Sequence, residues 1–292
     1  MVFSNYNPIA VAVYFAGVLL CSMFMRNPII SGISLVGAIL FCSAFITKKE
    51  MCRDLLFYIG LSILITASNP LFSHNGVTTL FFLNGNPVTM EAYIYGMEIS
   101  LMLVSVLIWC RCISFVMTSD RMVYLLGKTA PRISIVFSAA LRYIPLLKKQ
   151  SKKINDVQKA IGLYSSDNYY DRLKGSLRVF SALIGWSLEN AVETAKAMQA
   201  KGYGVKKRTY YSDYRFRRYD LYLLIAFFTL FSTLLYGIIN DLLVFTYYPR
   251  VVAAPFSTAT AVAYISFATL SLLPAIIEWK DCLLWKYYRS KI

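Results

Sequence analysis

Residues 91–112 read EAYIYGMEISLMLVSVLIWCRC, and in that stretch only Glu91, Glu98 and Arg111 carry charge. A helix needs roughly 20 apolar residues to cross about 30 Å of hydrocarbon. This stretch has that length, with two of its three charges at the ends, so it predicts a membrane-spanning helix. Working outward, comparable apolar stretches lie at about 9–25, 29–46, 55–69, 221–240 and 257–278. The third is the shortest, with Asn69-Pro70 closing it, and is expected to tilt little, lie in thin bilayer or be shielded by its neighbours. No window alternates polar and apolar residues over successive ten-residue segments, so the spanning elements are expected to be helices and not the strands of a barrel.

The composition agrees. Of 292 residues 58% are hydrophobic and only 15% charged, against roughly 45–50% and 25% in soluble domains. A mean hydropathy of +0.54 leaves too little polar surface to solvate a water-soluble enzyme of this size. Disorder is excluded by the 15% aromatic content, because disordered chains lack apolar surface to offset ordering entropy. Six cysteines, at 21, 42, 52, 110, 112 and 282, fall mostly in apolar runs without disulfide or zinc spacing. The first eight residues carry no Lys or Arg before the apolar run, so that run reads as a retained first span and not a signal peptide.

Thirty Lys and Arg against fifteen Asp and Glu give a net charge of +15, and +13 of it falls in residues 118–219. By contrast, residues 54–110 contain no Lys or Arg. Basic connections stay on the cytoplasmic side, so the polar loop at 69–90 is expected outside. The connection holding Lys48, Lys49 and Arg53, and the basic block after the fourth span, are expected inside. Alternation then gives six spans with both termini cytoplasmic, a basic tail with Lys280, Lys286, Arg289 and Lys291 on the cytoplasmic side, and one dissenting Arg26 in a tight outer turn. The chain divides into 1–117 (four membrane helices), 118–219 (cytoplasmic) and 220–292 (two membrane helices and the tail).

The basic block has helical order. Pro131 suits a helix start, and Ile133, Val136, Leu147, Ile154, Val157 and Ile161 recur near helical spacing, with Lys148, Lys149, Lys152, Lys153 and Lys159 on other faces. Pro145 is expected to bend this helix. A second helix runs from about 171 to 201, with Leu173, Leu177, Phe180, Ile184, Leu188, Ala191, Ala195 and Met198 at three- and four-residue steps. Gly202 and Gly204 then supply the backbone that ends helices. The polar residues 162–170 between them read as a turn. Each helix is too apolar on one face for water and must lie against lipid, the other helix or a partner.

Local motifs of other chemistries fall short. Gly127-Lys128-Thr129 resembles the end of a phosphate loop, but that loop needs glycine where Met122 stands, and no strand precedes it. His74, the only histidine, sits among turn-forming residues and can make neither a triad nor an ordinary metal site alone. Cys110 and Cys112 have no further Cys or His beside them to complete a metal site. Glu189 and Glu193 with Lys196 read as a solvated face. Tyr210, Tyr211, Tyr214 and Phe216 interleave with Arg208, Arg215, Arg217 and Arg218 just before the fifth span, which reads as headgroup anchoring and not nucleic-acid binding. Glu98 is the exception. A carboxylate two turns into a span is costly unless paired, protonated or near water, so it is a possible intramembrane polar site, with a buried hydrogen bond to a Ser or Tyr hydroxyl as the plainer reading.

Taken together, two amphipathic helices between membrane spans, Arg142-Tyr143-Ile144-Pro145, and the tripeptides Ala160-Ile161-Gly162 (before Leu163) and Ala200-Lys201-Gly202 (before Tyr203), forty residues apart, carry a resemblance. The segments Asn69-Pro70-Leu71-Phe72-Ser73-His74-Asn75-Gly76 and Glu189-Asn190-Ala191 up to Met198 extend it. The chain resembles the transmembrane T component of energy-coupling factor (ECF) transporters, whose relatives include cobalt-transport permeases. The resemblance implies an all-α polytopic scaffold in a prokaryotic cell membrane. It implies two cytoplasmic ATP-binding-cassette ATPases and one small membrane subunit that captures a vitamin or metal ion as partners, with lipid around them and no cofactor, metal or nucleic acid. It further implies that the two tripeptides dock into grooves on the ATPases through an arginine in each, and that ATP-driven closure moves the helices and tips the substrate-capturing subunit. Here Lys201 keeps the charge without the planar fork and Ile161 has none, so the coupling is expected to be asymmetric.

The sequence thus reads as a non-catalytic coupling subunit for vitamin or metal-ion uptake. The alternative is an autonomous transporter or channel whose selectivity rests on Glu98 and the outer loop. A membrane-embedded enzyme is disfavoured, since His, Asp and Cys do not cluster at any one depth.

Overall fold

The computed structural model describes residues 3, 6–83, 86–162, 169–203, 214, 216–253 and 255–289. Among these the chain is overwhelmingly helical, and it forms two compact units: Met1–Thr118 with Tyr214–Ile292, and Ser119–Asp213.

The first unit holds six apolar helices, α1 (Pro8–Phe24), α2 (Pro28–Cys42), α3 (Lys48–Phe72), α4 (Met90–Val116), α8 (Arg218–Ile239) and α9 (Thr258–Arg289). The helices α3, α4, α8 and α9 are long and apolar enough to cross a membrane by length and composition, and α1 and α2 are shorter at 17 and 15 residues. At 1.5 Å per residue the short pair measures only about 22–26 Å, yet its members supply much of the core. The chain is therefore an all-α, multi-pass membrane protein.

The same local device starts both short helices. Asn7-Pro8-Ile9 and Asn27-Pro28-Ile29 each place the Asn side chain as acceptor for the Ile amide, at 3.0 Å in both, with proline in the first turn. An N-cap of this kind satisfies one of the amides a helix start leaves open. The Asn7 amide in turn donates to Asp220 Oδ1 at 2.8 Å, so the start of α1 is tied to the first turn of α8.

The core is aromatic. Phe3, Phe15, Phe41 and Trp109 pack in tilted and edge-on pairs with ring centroids 5.7–6.0 Å apart, and the Trp109 indole N–H donates to Ser34 Oγ at 3.1 Å. The Tyr14 hydroxyl donates to the Leu270 carbonyl, joining α1 to α9. Gly17 lets α1 and α8 approach: a Cβ there would lie 2.2 Å from Phe227 Cζ.

Several expectations need correction. The stretch at 55–69 belongs to a 25-residue helix that begins at Lys48 and carries Pro70 in its last turn. The basic start simply continues the helix, and Pro70, which has no amide to give the Thr66 carbonyl, is followed by only two more helical residues. The loop at 69–90 contains a hairpin, β1 (Thr79–Leu83) paired antiparallel with β2 (Asn86–Thr89). A two-residue ladder, β3 (Phe245–Thr246) with β4 (Val252–Ala253), lies between α8 and α9. The basic tail is part of α9 as far as Arg289; Lys291 is outside the described residues, as is the side chain of Lys286.

The second unit holds α5 (Ser119–Thr129), α6 (Pro131–Ala160) and α7 (Tyr169–Ala200). Pro131 occupies the first turn of α6, and α6 runs on through Pro145. Ser134 Oγ donates to the Val123 carbonyl at 3.1 Å, fastening α6 to α5.

Candidate coupling site

The two tripeptides occupy the same positions at two helix ends. Ala160 is the last residue of α6, Ile161 its cap and Gly162 the following residue, with φ +87°. Ala200 ends α7, Lys201 follows and Gly202 has φ +74°. In this left-handed region a side chain is disfavoured, which is why glycine closes each tripeptide.

At the end of α7 the amide of Gly202 donates to the Gln199 carbonyl at 2.9 Å, and that of Tyr203 to the Met198 carbonyl at 3.0 Å. These are the two bonds of a Schellman motif. At α6 the amide of Gly162 donates to the Lys159 carbonyl at 3.0 Å in the same way. Leu163 and Gly204 are outside the described residues. Both tripeptides are exposed throughout, Ile161 at 74%. The sequence thus folds each small-X-Gly triplet into a stub on which residue X projects between neighbours too small to shield it.

The hairpin around the stubs sets their separation. Tyr143 and Thr194 share a hydrogen bond at 3.0 Å between their hydroxyls. Ser134, Ser138 and Arg142 of α6 line one cavity of about 330 Å³ with Met198 and Tyr203. The end of α7 therefore lies beside the first half of α6, while Ile161 lies nineteen residues beyond Arg142. At 1.5 Å per residue the stubs are about 30 Å apart, the width of a small domain.

Of the three places expected for the apolar face of α7, the other helix is not the one taken by its main stripe. Leu173, Leu177, Phe180, Ile184 and Leu188 all stay exposed, at 43–63%. The less exposed stripe is Gly175, Val179, Leu183, Trp186, Asn190, Thr194 and Met198. On α6, Ile133, Val136 and Val157 are likewise more than half exposed, whereas Leu147 and Ile154 are partly buried.

The remaining candidates do not join this site. Glu98 is 3% exposed inside the membrane unit, where Ser31 Oγ donates to its Oε1 at 2.7 Å, matching the plainer reading. The buried Tyr247 is the second neighbour of this carboxylate. Gly127-Lys128-Thr129 is the last turn of α5, with the Thr129 hydroxyl bonded back to the Leu125 carbonyl, so it is no phosphate loop. Glu189, Glu193 and Lys196 lie exposed on α7 with no ion pair between them. Cys110 is exposed and Cys112 buried against the Ala38 carbonyl. Among the described residues no three His, Cys, Asp or Glu group as metal ligands. Arg208, Tyr210, Tyr211 and Arg215 are outside the described residues. Sequence reasoning missed one intramembrane ion pair, Asp54 of α3 with Arg111 of α4; the opposite charges near facing ends of adjacent spans were its signal.

The family match to known proteins spans both tripeptides. The cobalt transport protein family (CbiQ) matches residues 4–211. The energy-coupling factor transporter transmembrane protein EcfT of Lactobacillus helveticus is 28% identical over 212 residues, 61% of this chain and 76% of that protein. EcfT 1 of Listeria monocytogenes serotype 1/2a is 28% identical over 171 residues, 54% of this chain and 63% of its own length. EcfT of Listeria innocua serovar 6a is 35% identical over 96 residues, covering 32% of this chain and 36% of that relative.

Proposed function

This chain belongs to the cobalt transport protein family, and from that premise we propose that it is the transmembrane coupling subunit of an energy-coupling factor importer. In this reading it lies in the plasma membrane of a prokaryote with both termini and residues 118–219 in the cytoplasm, and residues 1–117 and 220–292 form the membrane scaffold. Two cassette ATPases bind the stubs at Ala160-Ile161-Gly162 and Ala200-Lys201-Gly202. A small membrane subunit brings a vitamin or metal ion. ATP hydrolysis belongs to the ATPases, and this chain contributes motion and no chemistry.

The observation that carries the reading is the pair of equivalent helix ends about 30 Å apart, each exposing one residue between an alanine and a left-handed glycine. A single globular groove does not reach both ends, whereas two copies of one ATPase can each take one. The exposed apolar stripe of α7, Leu173 to Leu188, is the kind of face that docks an apolar partner, and it supports placing the substrate-binding subunit there. Tilting α6 and α7 about Tyr143 and Thr194 would then pass motion from the stubs to that face.

The test is affinity purification of the chain in mild detergent, with identification of the co-purifying proteins and an ATPase assay on the eluate. Recovery of two ATPases per chain, with activity weakened by Lys201→Glu, supports the proposal. A lone chain that transports after reconstitution would instead establish an autonomous carrier.

A further inference from the structure

Between the start of α3 and the C-terminal part of α9 lies an open groove of about 590 Å³. Its walls are Ile46, Met51, Leu55, Trp279 and Leu283, its rim carries Lys48, and two thiols, Cys52 and Cys282, face it. Water fills so apolar a space poorly in a membrane protein, and three features identify a better occupant.

The first is charge. Lys48, Lys49 and Arg53 are exposed within the first turns of α3. The acidic neighbours do not cancel it: Asp54 pairs with Arg111, and the two remaining carboxylates, Glu50 on Thr47 Oγ1 at 2.9 Å and Glu278 on the Phe3 amide at 3.0 Å, are outnumbered by the three exposed cations. On the α9 side Lys280 and Asp281 offset each other, so the rim stays positive and suits a phosphate.

The second is depth. Trp279 is 45% exposed, and an amphipathic ring of this kind favours the level of the lipid headgroups.

The third is continuity. From Cys52 an apolar track runs along α3 through Leu56, Ile59 and Ile63, which are 73%, 56% and 64% exposed. The track spans eleven residues, about 17 Å, close to half of the roughly 30 Å hydrocarbon thickness and so to one leaflet.

We propose that this groove holds one anionic glycerophospholipid, with its phosphate at Lys48 and one acyl chain along Cys52, Leu56, Ile59 and Ile63. The site is independent of the stubs and of any ATPase, so it stands or falls separately from the coupling function.

The native thiols report on it. The full chain in mild detergent is titrated with phosphatidylglycerol, phosphatidylcholine or inorganic phosphate, and maleimide labelling of Cys52, Cys282 and Cys110 is followed by peptide mass spectrometry. Cys110, exposed on α4 and absent from the groove walls, is the control. Phosphatidylglycerol is expected to protect Cys52 and Cys282, and not Cys110, at about one-fifth of the phosphatidylcholine concentration, because one lysine near a headgroup is worth about fivefold in affinity. Lys48→Gln should abolish that preference. Cys52→Trp, which fills the groove from an exposed position, should end lipid protection of Cys282. Equal protection by the two lipids, protection by phosphate alone, protection of Cys110 alike, or no protection at all would overturn the proposal.

Discussion

Lys201→Glu reverses a charge and Ile161→Glu introduces one at equivalent helix ends, and the proposed coupling predicts unequal consequences. A cation at Lys201 that meets a carboxylate on an ATPase contributes about 1.5–3 kcal/mol as a charge-assisted bond. Reversal removes that and adds about 1 kcal/mol of repulsion at contact distance in a water-like medium. The sum of about 2.5–4 kcal/mol corresponds to a loss of roughly two to three orders of magnitude in affinity. Ile161 is 74% exposed in the free chain. Burying that fraction of a side chain worth about 1.5–3 kcal/mol in full contributes about 1–2 kcal/mol, so its loss costs about five- to thirtyfold. Salt separates the two further, because the screening length falls from about 10 Å at 0.1 M to about 3 Å at 1 M. The assay is the number of ATPases retained per tagged chain in detergent as sodium chloride rises. Wild type should fall from two toward one as the Lys201 side releases. Lys201→Glu should hold one at every salt concentration, and Ile161→Arg should make both sides salt-sensitive. Equal losses in the two glutamate variants, with identical salt profiles, would refute the asymmetry.

Three further outcomes follow from the geometry, each read by thermal unfolding in detergent. Gly202→Ala, at φ +74°, should destabilise the end of α7 by about 1–2 kcal/mol, whereas Gly32→Ala, a helical position with no atom within 4 Å of the added Cβ, should be neutral or stabilising by about 0.5–1 kcal/mol. Gly17→Ala sets a Cβ 2.2 Å from Phe227 Cζ and should cost about 1–3 kcal/mol of overpacking, partly recovered by Phe227→Leu. Arg111→Gln leaves Asp54 without its ion-pair partner and should cost about 1.5–3 kcal/mol, most of it restored by adding Asp54→Asn.

The membrane helices were legible because lipid removes alternatives: an apolar run of sufficient length has few options besides a helix, and its ends follow from charge. The details lost were those in which local chemistry outweighs hydropathy. The starts of α1 and α2, placed by hydropathy only at about residues 9 and 29, are set by a repeated Asn-Pro-Ile whose N-cap chemistry a hydropathy reading passes over. The hairpin of residues 79–89 had its signal in Asn84-Gly85 between Phe81-Phe82-Leu83 and Val88, a pairing of turn and apolar residues that marks a hairpin. Asn69-Pro70 marked the end of α3 to within a few residues, whereas its start lay hidden because Lys48, Lys49 and Arg53 belong to the helix though not to the apolar run. At the stubs the glycines were readable as helix stops, but the equivalence of Ile161 and Lys201 as capping residues rests on backbone dihedrals that no spacing rule supplies.

The inverted burial of α7 ties these points to function. Periodicity identifies the apolar stripe Leu173, Leu177, Phe180, Ile184 and Leu188, and for a helix of a finished globular unit that stripe would face the core. In this chain it is exposed, and the less exposed face carries Val179, Leu183, Trp186 and Met198 beside Gly175, Asn190 and Thr194. That face lets α7 pack within its own unit, so the stripe from Leu173 to Leu188 is apolar surface left over after the hairpin has formed. The exposed stripe meanwhile offers five large side chains, each worth about 1.5–3 kcal/mol when fully buried. Under the proposed function such a helix, packed on one face and open on the other, can be held by its own unit and by a partner at once, which is what a lever between two partners requires.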